Sequence, residues 1–349
     1  MRILHLPFNI ASQLACSVQA LCNIGVSAHG LSLQASRLQD DCGILQIGPA
    51  SWRGGAYRFL DAIRSVWVLL QYLLWADVIH WHFGMRPSWQ RVLLMLAKLA
   101  GKRQVVEFWG SDIRIPQVEA IDNPHYVAVL DAQEYRHIES FSASLRRQLQ
   151  FGRYCSHIMC STGLREFVHP RLRPRLRHLP QRVDCARYRP VFPEVNVVLP
   201  VIAHAPSAPI IKGTAAVLAA VEALGPNLCT FKLIQGLPHD RAVAEMAGCD
   251  IFVDQLRLGH HGLAAIEAMA LGKPVVAWIK PAMRRQYPAD CPIVIADPDT
   301  LTGVLADLLQ DGIRRRLLGI QGRRYVERYH DAPLVAMRMM GIYQEAYRQ

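Results

Sequence analysis

A glutamate inside an apolar run is the residue in this sequence that most needs a partner. Glu267 lies in LAAIEAMAL, five residues after Gly262, and the strand-like run DIFVDQ precedes the loop before that glycine. A helix that begins at Gly262 leaves its first amides free and places partial positive charge there, which suits a phosphate. Glu267, just over a turn further on, could accept two sugar hydroxyls. The alternative is a solvated helix residue, but an unpartnered charge among apolar neighbours is costly.

His260 and His261 precede Gly262 in the same loop. Adjacent residues point about 100° apart on a helix and to opposite faces of a strand, so they rarely share one ion. The sequence has no third ligand at zinc-like spacing, and we predict no metal site. Two interpretations stay open: a loop beside phosphates in which one imidazole donates a hydrogen bond, or two solvated loop histidines.

A second helix start lies at Lys212, Gly213 and Thr214, after the strand-like run VIAHA. A lysine beside a helix N-terminus supplies a point charge where the amides supply direction, which suits a diphosphate. Taken alone, Lys212 would be an ordinary surface lysine. Together with Gly262 it predicts two helix starts that hold one diphosphate.

In the first half of the chain, polar residues follow two predicted strands. His80 and His82 point to the same side of one strand, and Ser111 and Asp112 follow the next. If these strand ends face a cleft, His82 could position or polarise a reacting hydroxyl, with Asp112 beside it. The alternatives are core histidines with satisfied rings and an aspartate that caps a turn.

Alternating strand-like and helix-like runs must position these residues. Such alternation is typical of parallel α/β sheets with ligands at the carboxyl ends of the strands. We predict two doubly wound, Rossmann-like domains facing a central cleft: residues 1–190, residues 191–331, and a last helix over 332–349 that packs back on the first domain. The predicted strands are 2–6, 28–33, 43–48, 77–82, 104–109, 156–160, 201–205, 230–234, 250–254 and 274–278. The predicted helices are 11–24, 57–74, 88–100, 131–149, 214–223, 240–248, 263–271, 299–310, 312–329 and 332–348.

Composition points to a globular cytoplasmic protein. The 349 residues are 51% hydrophobic, and the nine cysteines form no C-x-x-C pair, which fits reduced thiols. The N-terminus lacks the apolar core of a signal peptide. The longest apolar run, residues 65–76, is shorter than the roughly 20 residues of a spanning helix, so we expect it to form a buried helix.

The positive charge is concentrated in the first half of the chain. Residues 1–190 hold 23 Lys and Arg against 13 Asp and Glu, whereas residues 191–349 hold 16 against 15. This half therefore suits an anionic partner, either nucleic acid or the inner face of a membrane. The arginine-rich stretch 169–182 is broken by prolines and lacks interleaved aromatic residues, which argues against nucleic acid. It fits an exposed loop and an edge strand near an anionic partner.

Several of these segments resemble glycosyltransferase family 4, the retaining transferases with the GT-B fold. The resemblance covers nearly the whole chain and is most specific in the 250–276 block. It is carried by HAPSAPIIKGT, DIFVDQLRLGHHGLAAIEAMALGKPVV, RYVERYHD, FWGSDIR, STGLREFV and LPQRVD.

The resemblance implies a nucleotide-diphosphate-sugar donor, no cofactor and no required metal. Glu267 would hold the ribose hydroxyls and Lys212 the diphosphate, with nucleobase contacts around residues 235–238. Further donor contacts would come from Gly213, Gly259, His260, His261, Gly262 and Leu263. Ser12, Gln13 and Ser111 would form a loop near the phosphates or the acceptor.

Departures from the family pattern leave two functions open. The first glutamate of the E-x7-E motif is replaced by Gly259, the histidine before Gly-Ser-Asp is Trp109, and residues 10–13 are not glycine-rich. One function is a retaining, hexosyltransferase-like, metal-independent enzyme that extends a glycan or lipid-linked acceptor in cell-surface polysaccharide synthesis. The other is a non-catalytic GT-B subunit that binds nucleotide and supports a partner enzyme. A nucleic-acid-binding protein is disfavoured, since it would leave the 262–267 arrangement without a purpose.

Overall fold

The computed structural model describes residues 1–34, 39–49, 57–82, 87–131 and 141–348, which form two compact units. Unit 1 takes the described residues within Met1–Ile115, Glu139–Arg182 and Ala332–Gln349. Unit 2 takes those within Pro116–Ile138 and Val183–Asp331. Residues 116–131 thus pack with unit 2, although the sequence analysis placed them in the N-terminal domain.

Strands and helices alternate through most of both units. The strands are β1 (Arg2–Pro7), β2 (Ser27–Ser32), β3 (Ile44–Gln46), β4 (Val78–His82), β5 (Arg103–Phe108), β6 (His157–Cys160), β7 (Leu176–His178), β8 (Val201–His204), β9 (Thr230–Leu233), β10 (Ile251–Val253), β11 (Val275–Ala277) and β12 (Val294–Ile295). The helices are α1 (Gln13–Asn23), α2 (Tyr57–Trp75), α3 (Pro87–Leu99), α4 (Pro116–Glu119), α5 (Pro124–Asp131), α6 (Phe141–Tyr154), α7 (Pro209–Lys212), α8 (Thr214–Leu224), α9 (His239–Ala247), α10 (Leu263–Ala270), α11 (Pro281–Arg284), α12 (Leu301–Gln310), α13 (Gly312–Tyr329) and α14 (Ala332–Arg348). The predicted helix over 131–149 falls partly on residues 132–140, which lie outside the described part of the chain.

Unit 1 is built on a seven-stranded sheet in the order β3-β2-β1-β4-β5-β6-β7. Each of these strands runs parallel to its neighbours. The chain moves outward in one direction from β1 and then returns to β4, so the sheet is doubly wound, and its inner strands β1, β4, β5 and β6 are almost completely buried. The arginine-rich stretch supplies β7 at one end of the sheet, as the sequence predicted.

Helix α14 belongs to unit 1, although it follows 149 residues of unit 2 in the chain. It packs against α1 and β5. Its apolar residues recur at helical spacing, with Val335, Met339, Ile342 and Tyr343 in one buried cluster with α1. The helix therefore closes one face of the unit 1 sheet.

Unit 2 has a five-stranded parallel sheet in the order β12-β11-β10-β8-β9. The short helices α4 and α5 join it through Asn123, whose amide donates to the carbonyl of Arg257 at 2.9 Å. The loop after β10 therefore rests partly on residues from the first half of the sequence.

Helix α2 corrects the prediction of a buried helix over residues 65–76. Val66, Trp67, Leu70 and Leu74 are 56%, 58%, 42% and 65% exposed. The run is apolar on both faces, and only one of them packs onto the unit. None of the described helices combines the length and apolar character needed to cross a bilayer.

Candidate functional site

Two helix starts in unit 2 converge on the carboxylate of Asp254, the residue directly after β10. Lys212 Nζ lies 2.7 Å from Asp254 Oδ1, and the backbone amide of Gly262 donates to Oδ2 at 2.6 Å. Burial works to raise the pKa of Asp254, but the Lys212 ammonium outweighs it and the pKa falls below its ordinary value. The structure thus places Lys212 and Gly262 within reach of one anionic group. Asp254 itself was missed in the sequence, where it reads as the end of a strand.

Gly213 allows the chain to turn from α7 into α8. Its φ of +75° is in the left-handed region, and a Cβ there would lie 3.0 Å from Cβ of Leu256. The next residue, Thr214, is anchored by His204, whose Nε2 lies 3.0 Å from the threonine hydroxyl. These contacts fix the start of α8 beside Lys212.

Glu267 is buried on α10, which excludes the interpretation as a solvated helix residue. The hydroxyl of Tyr188 donates to Oε1 at 2.9 Å, and His239 Nε2 lies 2.6 Å from the same oxygen. Two hydrogen-bond partners therefore compensate for the burial of this carboxylate. His239 begins α9, directly after the predicted nucleobase segment 235–238. Neither partner was predicted, because both are distant from Glu267 in sequence.

The two loop histidines have different environments. His261 is 7% exposed, and its ring packs 4.8 Å from that of Tyr287, which contradicts the interpretation as a solvated residue. Burial lowers the pKa of His261, so the ring is neutral at neutral pH. His260 is half-buried, with Nδ1 lying 3.3 Å from Nε2 of Gln255. In the described chain neither histidine joins a group of three ligands that could hold a metal ion.

Position 259 has no room for a side chain as the structure stands. A Cβ on Gly259 would lie 2.7 Å from Cγ and Cδ of Lys280. The Gly259 amide donates to Oε1 of Glu119 at 3.3 Å, and Asn123 Nδ2 donates to the same oxygen at 3.2 Å. A buried carboxylate from α4 thus reaches the backbone at the position where the resemblance implies a glutamate. No pattern around Glu119 in the sequence indicates this contact. Leu263, the next donor-binding candidate, is the first residue of α10 and packs against the apolar core of unit 2.

His82 does not stand at an open strand end, contrary to the prediction. His5, His80 and His82 are fully buried in unit 1, and their rings stack or tilt against one another at centroid distances of 4.2 to 5.0 Å. His5 Nδ1 lies 2.8 Å from His82 Nε2, and the hydroxyl of Tyr343 on α14 lies 2.6 Å from His80 Nδ1. Burial lowers the pKa of all three histidines, which are therefore neutral. The alternative interpretation as core histidines is the one the geometry supports.

These histidine rings also place one nitrogen each within 4.8 Å of the others, close enough for a metal ion. A metal there would have to displace the His5–His82 hydrogen bond. Its nearest further ligand, Glu107, lies 3.3 Å from His80 Nε2 but is already held by Arg182. The absence of a metal site stays a prediction.

Glu107 and Arg182 form a bidentate ion pair beside the histidines. Its two hydrogen bonds are 2.9 and 2.8 Å long, and both side chains are at most 2% exposed. Burial opposes the charge on Glu107, but Arg182 prevails and the pKa of Glu107 is lowered. The guanidinium also lies 5.0 Å from the ring centroid of Trp109. The side-chain amide of Gln13 accepts a hydrogen bond from the backbone N–H of Arg182 at 3.0 Å and donates one to its carbonyl at 2.8 Å. The Gln13 side chain therefore holds the backbone of Arg182 in place instead of facing a phosphate.

Asp112 caps the turn after β5. Its carboxylate accepts the amides of Trp109 at 3.0 Å and Gly110 at 2.8 Å, the capping role weighed against a catalytic one. Burial raises the pKa of Asp112 to about 6, because the amides of the turn and the charge of Arg147 offset only part of the effect of burial. Ser111 is half-buried in the same turn, and Ser12 Oγ accepts the amide of Asp40 at 2.8 Å.

Solved structures of glycosyltransferases resemble the chain over its whole length. Sucrose-phosphate synthase from Thermosynechococcus elongatus covers 100% of both chains at 13% identity and a TM-score of 0.67. WaaG, a glycosyltransferase of lipopolysaccharide biosynthesis, covers 97% of this chain and 98% of its own, at 13% identity and a TM-score of 0.57. The chain has the GT-B fold.

A further solved glycosyltransferase structure supports the GT-B assignment, whereas sequence similarity adds nothing to it. Anabaena HepE, solved in complex with UDP-glucose, covers 99% of this chain and 100% of its own, at 13% identity and a TM-score of 0.65. No protein-family model matches the sequence, and no curated protein matches it. At such identities the structural likeness establishes the fold, and the fold predicted from the sequence is confirmed.

Proposed function

We propose that this GT-B protein is a glycosyltransferase, of the family 4 type, that takes a hexose from a nucleotide-diphosphate-sugar. The observation that carries the proposal is the convergence of Lys212 Nζ and the Gly262 amide, at 2.7 and 2.6 Å, on one carboxylate. A cation and a helix N-terminus that can share one anionic group can share the oxygens of a diphosphate. Because HepE was solved with UDP-glucose, UDP-sugars are the donors to test first.

In the proposed reaction, the donors at the starts of α8 and α10 stabilise the nucleoside diphosphate as it leaves the sugar. As the bond from the sugar to the diphosphate breaks, negative charge grows on the phosphate oxygens, and preorganised donors at the starts of α8 and α10 stabilise it. Glu267, held by Tyr188 and His239, would accept the ribose hydroxyls. We propose retention of configuration without a metal, and transfer to a glycan or lipid-linked acceptor in cell-surface polysaccharide synthesis.

A non-catalytic, nucleotide-binding subunit is the second candidate. Two observations favour it: Asp254 neutralises the charge of Lys212, and Gly259 leaves no carboxylate side chain at the position of the missing family glutamate. A diphosphate must compete with Asp254 for the same two donors, which weakens its binding.

A turnover assay decides between the two candidates. We expect the wild-type protein to release UDP from UDP-glucose or a related donor when candidate acceptors are present. Glu267→Gln should reduce kcat/KM by at least about tenfold, because a lost hydrogen bond to a charged group is worth about 1.5–3 kcal/mol. Glu222→Gln, an exposed carboxylate on α8, is the matched control and should behave as wild type. No turnover with UDP-, GDP- or ADP-sugars would refute the transferase, and retained nucleotide binding would then favour the subunit.

A further inference from the structure

An apolar stripe on α2 faces outward. Residues at the helical spacing 59, 63, 67, 70 and 74 form it, and they are exposed by 72%, 51%, 58%, 42% and 65% (Phe59, Ile63, Trp67, Leu70, Leu74). Such spacing normally marks the face that a helix buries. Here the opposite face, on which Asp61 is only 7% exposed, already packs onto unit 1. The outward stripe is therefore an additional, apolar face that unit 1 does not cover.

Helix α3 has an outward apolar stripe of its own. Trp89, Val92, Leu96 and Leu99 recur at the same kind of spacing and are exposed by 64%, 42%, 39% and 77%. The connections β3–α2–β4 and β4–α3–β5 cross the sheet in the same direction, so right-handed crossovers place both helices on one face of it. We call the outward apolar residues of α2 and α3 the α2–α3 surface. So many exposed large apolar side chains on one face are unusual on a monomeric protein and mark an interaction site.

The charges on the same helices select the partner. Arg58, Arg64, Arg91 and Lys98 are exposed, whereas the one acidic residue of α2 and α3, Asp61, is buried. Cations around an apolar surface with exposed tryptophans suit the boundary between anionic headgroups and acyl chains. A partner protein would have to offer an apolar face ringed by acidic groups, whereas an anionic bilayer offers both everywhere.

We propose that the α2–α3 surface inserts into the interface of an anionic phospholipid bilayer. Apolar burial and attraction of the basic residues act together, so binding requires both the outward stripe and negatively charged lipid. The inference deepens the proposed function and rests on it for the lipid-linked acceptor that such docking would serve. It also accounts for the exposed apolar residues of α2, which a buried helix would not have.

Vesicle cosedimentation tests the proposal with the full-length protein. We expect wild type to sediment with vesicles of 30% phosphatidylglycerol in phosphatidylcholine, and much less with phosphatidylcholine alone. The double variant Trp67→Ser, Leu70→Ser should lose affinity by at least about tenfold, since each large apolar side chain contributes on the order of one such factor when buried. The matched control Ile313→Ser, Leu317→Ser removes two side chains of similar exposure, 62% and 53%, from α13 in unit 2 and should bind as wild type.

Three results would overturn the proposal: no sedimentation of wild type with anionic vesicles, equal binding by the α2 variant, or wild-type dimers that the α2 variant converts to monomers without any vesicle binding. The last would make the surface an interface between copies of the chain. The assay contains neither donor nor acceptor, so it can fail while the transferase assay succeeds. UDP-glucose turnover with a water-soluble acceptor should be the same in the α2 variant and wild type.

Discussion

At the scale of single residues, the buried carboxylates differ in what neutralises them. Glu107 has Arg182 and Asp254 has Lys212, and in both cases the cation keeps the pKa below its ordinary value. Asp112 has mainly the amides of its own turn, so burial dominates and its pKa rises to about 6. A carboxyl group favoured in its protonated form stabilises the folded protein most at low pH.

Asp112 should therefore leave a pH signature in stability. Its folded pKa is above its ordinary value of 3.8, so its contribution is fully present below about pH 4 and is lost as the pH rises through about 6. We expect the unfolding free energy of Asp112→Asn, relative to wild type, to increase by about 3 kcal/mol between pH 4 and pH 7.5. Urea unfolding of both proteins across this range measures it. A difference that does not change with pH would contradict the assignment.

Residues of the candidate site could be predicted only where their signal is local. Lys212 and Glu267 stand out because each lies within a few residues of a helix start. Asp254, Tyr188 and His239 could not be found, because their roles depend on partners 8 to 79 residues away. His82 was placed at a cleft because alternation shows which side of a strand a residue faces, but not that the rings of His80 and Trp109 stack against it.

At the scale of elements, α14 contributes to the core of unit 1 from the far end of the chain. Met339 is fully buried in the cluster with α1, while Met337, two residues earlier, is 54% exposed. The helix therefore offers the same side chain in two environments.

Truncating these two methionines should separate the faces of α14. Met339→Ala should lower the unfolding free energy by about 2–5 kcal/mol, because it removes buried apolar volume and leaves a cavity. Met337→Ala should change it by less than about 0.5 kcal/mol. Chemical denaturation of both variants gives the comparison. Equal effects would mean that α14 does not pack on unit 1 as described.

Most strands and helices could be predicted from the sequence, because apolar runs and helical spacing are local patterns. The short β12 and the helices α4 and α5 were missed, since two to eight residues give too little periodicity. The exposure of α2 could not be predicted either. An apolar helix normally needs a covering surface, and the sequence does not say whether the protein or a lipid provides it.

At the scale of the whole molecule, the two units divide the proposed tasks. Unit 2 holds the donor-site candidates: Lys212 at the end of α7, Gly262 at the start of α10 and Glu267 within α10. Unit 1 carries the basic helices and the α2–α3 surface. The concentration of positive charge in residues 1–190 agrees with this division.

A thermal-shift titration with nucleoside diphosphates and their sugars tests the central claim most directly. We predict that at least one of them raises the Tm of wild type by several degrees, since a ligand at about 100 times its Kd stabilises by about 2.7 kcal/mol. The same ligand should stabilise Lys232→Met, which removes a half-buried lysine of unit 2 that is also ion-paired, but not Lys212→Met. If no nucleotide raises the Tm of wild type, or if Lys212→Met responds as wild type does, the two helix starts do not hold a diphosphate.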